Sequence, residues 1–185
     1  MLAAVTRSPG EMVIEDVSGP GRARAGNVIV RPEAVGICGS DFHLFSGDVG
    51  ALSGAREFYP RIQGHEVSAV VADAGDTSQA SSVKGNVKEG DRIAIWPLLP
   101  CGRCYPCRNK RPNVCVRFRL VGVHLDGALA ERPEDFRAAI KLVASHRAAI
   151  SALFSHHFPL ARAAEAFEFA MSRPPDAIKI VVTVN

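Results

Sequence analysis

A cysteine, a histidine and a glutamate stand near one another in the first third of the chain. Cys38 follows Gly36-Ile37, and His65-Glu66 follows Gly64. A thiolate, an imidazole and a carboxylate are the ligand types that hold a catalytic zinc while leaving one position for water or substrate. Cys38, His65 and Glu66 are therefore expected to bind zinc. Taken singly, Cys38 reads as a small buried apolar group and His65 as a satisfied core histidine. The combination favours metal, with Gly36, Gly39 and Gly64 allowing close backbone approach. Beside these ligands, Ser40, Asp41 and His43 supply a hydroxyl, a carboxylate and a second imidazole. Those are the groups needed to orient a ligand histidine and to move a proton.

A second set of ligands is more specific. Cys101, Cys104, Cys107 and Cys115 form a C-x2-C-x2-C-x7-C pattern, with Gly102 and Pro106 expected to set tight turns between them. Four thiolates in so short a lobe match a closed tetrahedral zinc site. Two local disulfides or a redox C-x-x-C are the competing readings, and the absence of a secretory signature weighs against them. Six cations, Arg103, Arg108, Lys110, Arg111, Arg117 and Arg119, crowd the same lobe. They read as a solvated face that offsets the charge of a four-thiolate centre, because a nucleic-acid zinc ribbon brings a second C-x-x-C knuckle.

The elements that must position these groups are short. The runs 11 to 17 and 27 to 31 are β-branched and separated by Gly19-Pro20-Gly21; residues 66 to 74 and 91 to 96 read as further strands. Short strands spaced by glycine turns suggest a barrel or partly open β-structure. Residues 76 to 87 read as an exposed loop. Apolar residues at helical spacing predict amphipathic helices over 132 to 149 and 160 to 171, and residues 177 to 184 a closing strand inside a sheet. The chain has 185 residues, 22% of them charged, and a net charge of +3. That is enough for one good-sized core, and the charge is too mild to imply a nucleic acid or a membrane as partner. The run Met1 to Val5 is too short for a signal-peptide core, so a cytoplasmic location is expected.

Several stretches together resemble the zinc-dependent medium-chain alcohol and polyol dehydrogenases: Gly36-Ile37-Cys38-Gly39-Ser40-Asp41-Phe42-His43, Gly64-His65-Glu66, Gly90-Asp91-Arg92, the four-cysteine lobe, and Val121-Gly122-Val123-His124-Leu125-Asp126-Gly127. The likeness runs from residue 10 to about 130 and resumes from 132 to the end. It implies an α+β fold, a GroES-like partly open β-barrel with a four-cysteine lobe and C-terminal helices. Residues 1–131 would form the zinc-binding catalytic domain, and 132–185 would complete it. By the same likeness Cys38 and His65 are catalytic zinc ligands, Glu66 joins them in resting states, and Asp41 supports His65. Ser40 and His43 relay the alcohol proton, and the four cysteines hold a structural zinc. The implied hydride acceptor is NAD(P), and the implied substrate a small alcohol, polyol or sugar acid, with Pro60-Arg61-Ile62-Gln63 leaning toward the last two. A homo-oligomer fits the same family.

The sequence departs from that family at one junction. Its members insert a Rossmann domain where Glu131 here abuts Arg132, and the chain contains no G-x-G-x-x-G; Gly19-Pro20-Gly21-Arg22-Ala23-Arg24 lacks the last glycine. The usual remaining zinc ligand and the strand after Ala128-Leu129-Ala130 would be lost with that domain, leaving an uncovered sheet edge. The expected function is therefore the catalytic half of a zinc dehydrogenase, inactive alone. The alternative is a non-catalytic, zinc-stabilised barrel, a remnant or an interaction module, and cofactor binding discriminates the two.

Overall fold

The computed structural model describes residues 1–48, 59–76, 87–124 and 147–184. Within them, ten strands form three sheets. β1 (Leu2–Ser8) lies between β2 (Glu11–Asp16) and β4 (Arg61–Ile62), antiparallel to both. The larger sheet has the order β6-β5-β3-β10-β9, built from β3 (Ile29–Gly36), β5 (Glu66–Asp73), β6 (Arg92–Ala94), β9 (Phe154–Pro159) and β10 (Lys179–Thr183). A short hairpin of β7 (Leu98–Leu99) and β8 (Arg119–Leu120) forms the base of the cysteine lobe. The sheets do not close into a barrel among the described residues, in keeping with a partly open structure.

Period-two patterning explains the larger sheet. Val67, Ala69 and Val71 of β5 point inward and are buried, while Ser68 and Ala72 are exposed. β10 is different: Ile180, Val181 and Val182 are all buried, because this strand sits between β3 and β9 with both faces covered. The C-terminal strands thus complete a sheet begun near the N-terminus. Over it lies α4 (Ala163–Met171), which follows a 3-10 turn at Leu160–Arg162 and buries Ala163, Ala166, Phe167 and Ala170. Those positions are i, i+3, i+4 and i+7, one stripe of a helix. The stripe packs against Ile37, Ile180, Val182 and Phe45, and the Phe45 and Phe167 ring centroids are 5.4 Å apart. Phe45 belongs to α1 (Gly39–Ser46), so the core holds the first metal-site segment in place.

Most sequence-derived elements appear with shifted ends. The expected strand at 27 to 31 runs instead from Ile29 to Gly36, directly into the Cys38 segment. The opening residues, weighed above only as a signal-peptide core, form the central strand of the smaller sheet. β9 was not anticipated, because Ser155, His156 and His157 interrupt any alternation; its pairing with β10 is parallel and comes from tertiary contact. Pro106 lies in the single-turn helix α2 (Tyr105–Arg108) rather than in a turn between ligands. Most of the loop at 76 to 87, most of the helix at 132 to 149 and the strand at 128 to 130 lie outside the described residues; Arg147–Ser151 forms the short helix α3. No helix of the described residues is long and apolar enough to cross a membrane.

Candidate metal centres

The first centre is assembled by a helix start. After β3 the chain enters α1 with Cys38 in an extended conformation at the cap and Asp41 at the third helical position. Asp41 Oδ2 accepts the Cys38 backbone N–H at 2.8 Å, as a first-turn carboxylate does when it satisfies a free helix donor. Its other oxygen, Oδ1, lies 3.2 Å from His65 Nδ1, and the residue is fully buried. One carboxylate thereby fixes two ligands. The Asp41 carbonyl accepts from Gln63 Nε2 at 3.2 Å, and Thr6 Oγ1, also fully buried, donates to Gln63 Oε1 at 2.6 Å, so β1 braces the same network.

This arrangement decides which nitrogen of His65 faces the centre. With Nδ1–H directed at Asp41, Nε2 is the free donor atom, and Cys38 Sγ, a His65 ring nitrogen and a Glu66 carboxylate oxygen lie within 4.8 Å of one another. The hydrogen bond to Asp41, opposed by burial, holds His65 up at about 9 in the metal-free chain. Burial pushes the Cys38 thiol up, but hydrogen bonds involving Ser40 and His65 outweigh it and leave the thiol below its ordinary value. A soft thiolate, an imidazole of set tautomer and a carboxylate make a donor set suited to zinc.

Glu66 brings in a residue that sequence reasoning missed. Lys179 Nζ pairs with Glu66 Oε2 and donates to the Ile37 carbonyl at 3.1 Å. No spacing pattern could have placed Lys179 here, because β10 reaches the centre only through sheet pairing. Gly36 leaves room for this contact: a Cβ there would stand 2.5 Å from Glu66 Oε2, and the carboxylate would have to move. Gly39, by contrast, has open space around it, and its expected close approach is not used. Because Lys179 engages the carboxylate, Lys179→Met should tighten metal binding at this centre on the order of tenfold, about 1.4 kcal/mol. In a Glu66→Gln background the same substitution should do little. Chelator-buffered zinc titrations check this, and weaker binding by Lys179→Met would refute the competition.

The expected proton-moving groups separate. Ser40 is exposed, with Oγ 3.4 Å from His65 Nε2, so it stands at the mouth of the centre. His43 is exposed too, but its Nδ1 faces Asp48 Oδ2 at 3.5 Å.

The second centre brings all four predicted cysteines together. The sulfurs of Cys101, Cys104, Cys107 and Cys115 lie within 4.8 Å of one another, with Cys104–Cys107 at 3.4 Å and Cys104–Cys115 at 3.7 Å. Four sulfurs about 2.3 Å from a tetrahedral zinc would be about 3.8 Å apart, so the donors fit that ion. None of the four is joined in a disulfide. Backbone N–H groups of Cys101 and Arg117 point at Cys115 Sγ at 3.2 and 3.4 Å, offsetting thiolate charge. The backbone N–H of Cys107 brings Cys104 down to about 6, while burial and its neighbouring thiols push Cys107 up to about 12. Opposed shifts are what a set of thiols sharing negative charge gives. The lobe is seated against the first centre by Gly122, where a Cβ would meet the Gly64 carbonyl at 2.0 Å.

Residues 24–133 match the family described as the alcohol dehydrogenase GroES-like domain. The L-threonine 3-dehydrogenase of Pyrococcus horikoshii is 34% identical over 134 residues, which cover 71% of this chain and 35% of that protein. Among solved structures, the short chain alcohol dehydrogenase rspB from E. coli CFT073, complexed with NADH, is 32% identical with a TM-score of 0.55, covering 70% of this chain and 34% of that one. ECK1772 of Escherichia coli, an oxidoreductase/dehydrogenase of unknown specificity involved in membrane biogenesis, gives a TM-score of 0.78 over 100% of this chain and 99% of that one. At 15% identity this last likeness shows the fold alone. The chain spans about a third of the length of the curated relatives it matches.

Proposed function

The chain belongs to the alcohol dehydrogenase GroES-like domain family, and from that premise we propose that it is the zinc-binding catalytic domain of a zinc-dependent alcohol or polyol dehydrogenase. Residues 1–131 form the catalytic part and 132–185 complete it. The observation that carries this reading is the meeting of Cys38, His65 and Glu66 donor atoms within 4.8 Å, with Asp41 buried behind them. Cys38, His65 and Glu66 would hold a catalytic zinc, and Cys101, Cys104, Cys107 and Cys115 a structural one. When bound, the catalytic zinc supplies Lewis acidity that polarises a substrate hydroxyl and lowers its pKa.

The chain's own residues do the rest. Asp41 holds His65 in the tautomer whose Nε2 is free to ligate. Ser40, exposed at the mouth of the centre, takes up the hydroxyl proton as it releases its own outward; His43, the second group the resemblance implies, is exposed and faces Asp48, so it would take the proton only by way of solvent. The hydride acceptor is NAD(P), the substrate a secondary alcohol of the polyol or sugar-acid type, and the location cytoplasmic.

Alone, this chain should neither bind NADH usefully nor oxidise alcohols, because it contains no G-x-G-x-x-G with which to hold the pyrophosphate. A fluorescence titration with NADH is the test. The expected result is no saturable binding, followed by Cys38-dependent turnover once a relative's cofactor domain is inserted between Glu131 and Arg132. Saturable micromolar binding by the unmodified chain would overturn the first part. A grafted protein that binds NADH but gives the same turnover with Cys38→Ala would overturn the catalytic assignment and favour a zinc-stabilised module.

A further inference from the structure

The four-cysteine lobe segregates charge and exposes rings. From Cys101 to Leu120 the chain carries six cations and no Asp or Glu, although its overall net charge is only +3, so the remainder is net acidic. The chain-wide figure, which argued against a polyanionic partner, conceals this segregation. All six cations are exposed, and among the described residues no ion pair draws on any of them. A four-thiolate zinc centre accounts for part of that charge. Two backbone N–H groups already face Cys115 Sγ, and the cations outnumber what a dianion needs.

Charge alone describes a solvated face, but here apolar surface accompanies it. Tyr105 is 75% exposed, and Val114, Val116 and Phe118 are exposed beside the arginines. Tyr105 also walls a cavity of about 340 Å³ with Pro106, Asn109, Arg111 and Val114. Asn109 is held on its rim, its Nδ2 donating to the Tyr105 carbonyl at 2.8 Å. An aromatic wall with Arg111 beside it, in a segment that carries six cations and no carboxylate, has the parts of a stacking platform on an electrostatic track.

We propose that this face binds single-stranded nucleic acid, with phosphates along the cations and one base stacked on Tyr105. An acidic peptide would satisfy the cations and leave the ring and its cavity without a role, so nucleic acid is the better match. The lobe would serve this function independently of any alcohol chemistry.

The test is fluorescence anisotropy of a labelled single-stranded oligothymidylate titrated with the full 185-residue chain loaded with zinc. Binding should saturate at 50 mM salt. If about five phosphates are neutralised, raising salt fourfold should weaken it on the order of a hundredfold. Tyr105→Ala should lower affinity about tenfold through lost stacking, and the Arg108→Gln/Arg111→Gln double variant should flatten the salt dependence. Unchanged zinc content in these variants separates loss of the surface from loss of the lobe. Polyglutamate should compete far less well than unlabelled oligonucleotide. No anisotropy change at 50 mM salt, wild-type affinity in Tyr105→Ala, or equal competition by polyglutamate would overturn the proposal.

Discussion

Cys104→Ser should leave the purified chain with one zinc fewer and lower its melting temperature by on the order of 10 °C. The lobe has almost no apolar core of its own: Cys115 is buried, but Tyr105, Val114 and Val116 face solvent. Its order is therefore expected to depend on the metal. Four-thiolate zinc binding contributes about 10–16 kcal/mol in small domains that fold on metal, as much as the whole stability of an ordinary domain. Part of that loss stays local, but Val123 and Leu120 at the base of the lobe pack with Leu44 and Tyr59 of the main body. A global cost of about 4 kcal/mol, at about 2–4 °C for each kcal/mol, gives the stated shift. Metal analysis and calorimetry on the same preparation check it, and unchanged zinc content with unchanged melting would count against the centre.

Asp41→Asn should weaken zinc binding at the first centre by about tenfold to a hundredfold, the usual effect of removing the partner that orients a ligand histidine. The amide also has to replace a carboxylate that accepts from Cys38 N and faces His65 Nδ1 while fully buried. A chelator-buffered titration above pH about 9, where His65 is already neutral, isolates orientation from proton competition. In the metal-free protein the sign is different. Asp41 is the largest cause of the rise of His65 from 6.5 to about 9, with Cys38 adding to it, so the stabilisation from Asp41 is full below pH about 6.5 and is lost as pH rises through about 9. The stability gap between wild type and Asp41→Asn should therefore be widest in mild acid and narrow toward alkaline pH. A gap independent of pH would show that Asp41 acts on the helix start alone.

Both centres were legible in the sequence for different reasons. The cysteine lobe is local: four ligands within fifteen residues leave the chain few ways to miss one another, and the structure brings all four together. The Cys38 centre joins segments 27 residues apart, and it was legible through residue types, since thiol, imidazole and carboxylate share one chemistry. What stayed hidden is non-local. Lys179 reaches Glu66 because β10 pairs with β3, and Thr6 reaches Asp41 through Gln63 because β1 pairs with β4. Neither contact leaves a periodic trace. The helix α1 was also missed, since its Gly39-Ser40-Asp41 opening carries poor helix formers; a capping carboxylate and the packing of Leu44 and Phe45 override that propensity.

The measurement closest to the central claim is the metal stoichiometry of the native chain, read by native mass spectrometry before and after mild chelation. Two zinc ions per wild-type chain are expected, the one at Cys38, His65 and Glu66 leaving first because it has fewer soft ligands, and His65→Ala should carry a single ion from the start. Equal stoichiometry in wild-type and His65→Ala protein, or a metal-free mass shortened by disulfide formation among the lobe cysteines, would contradict the account.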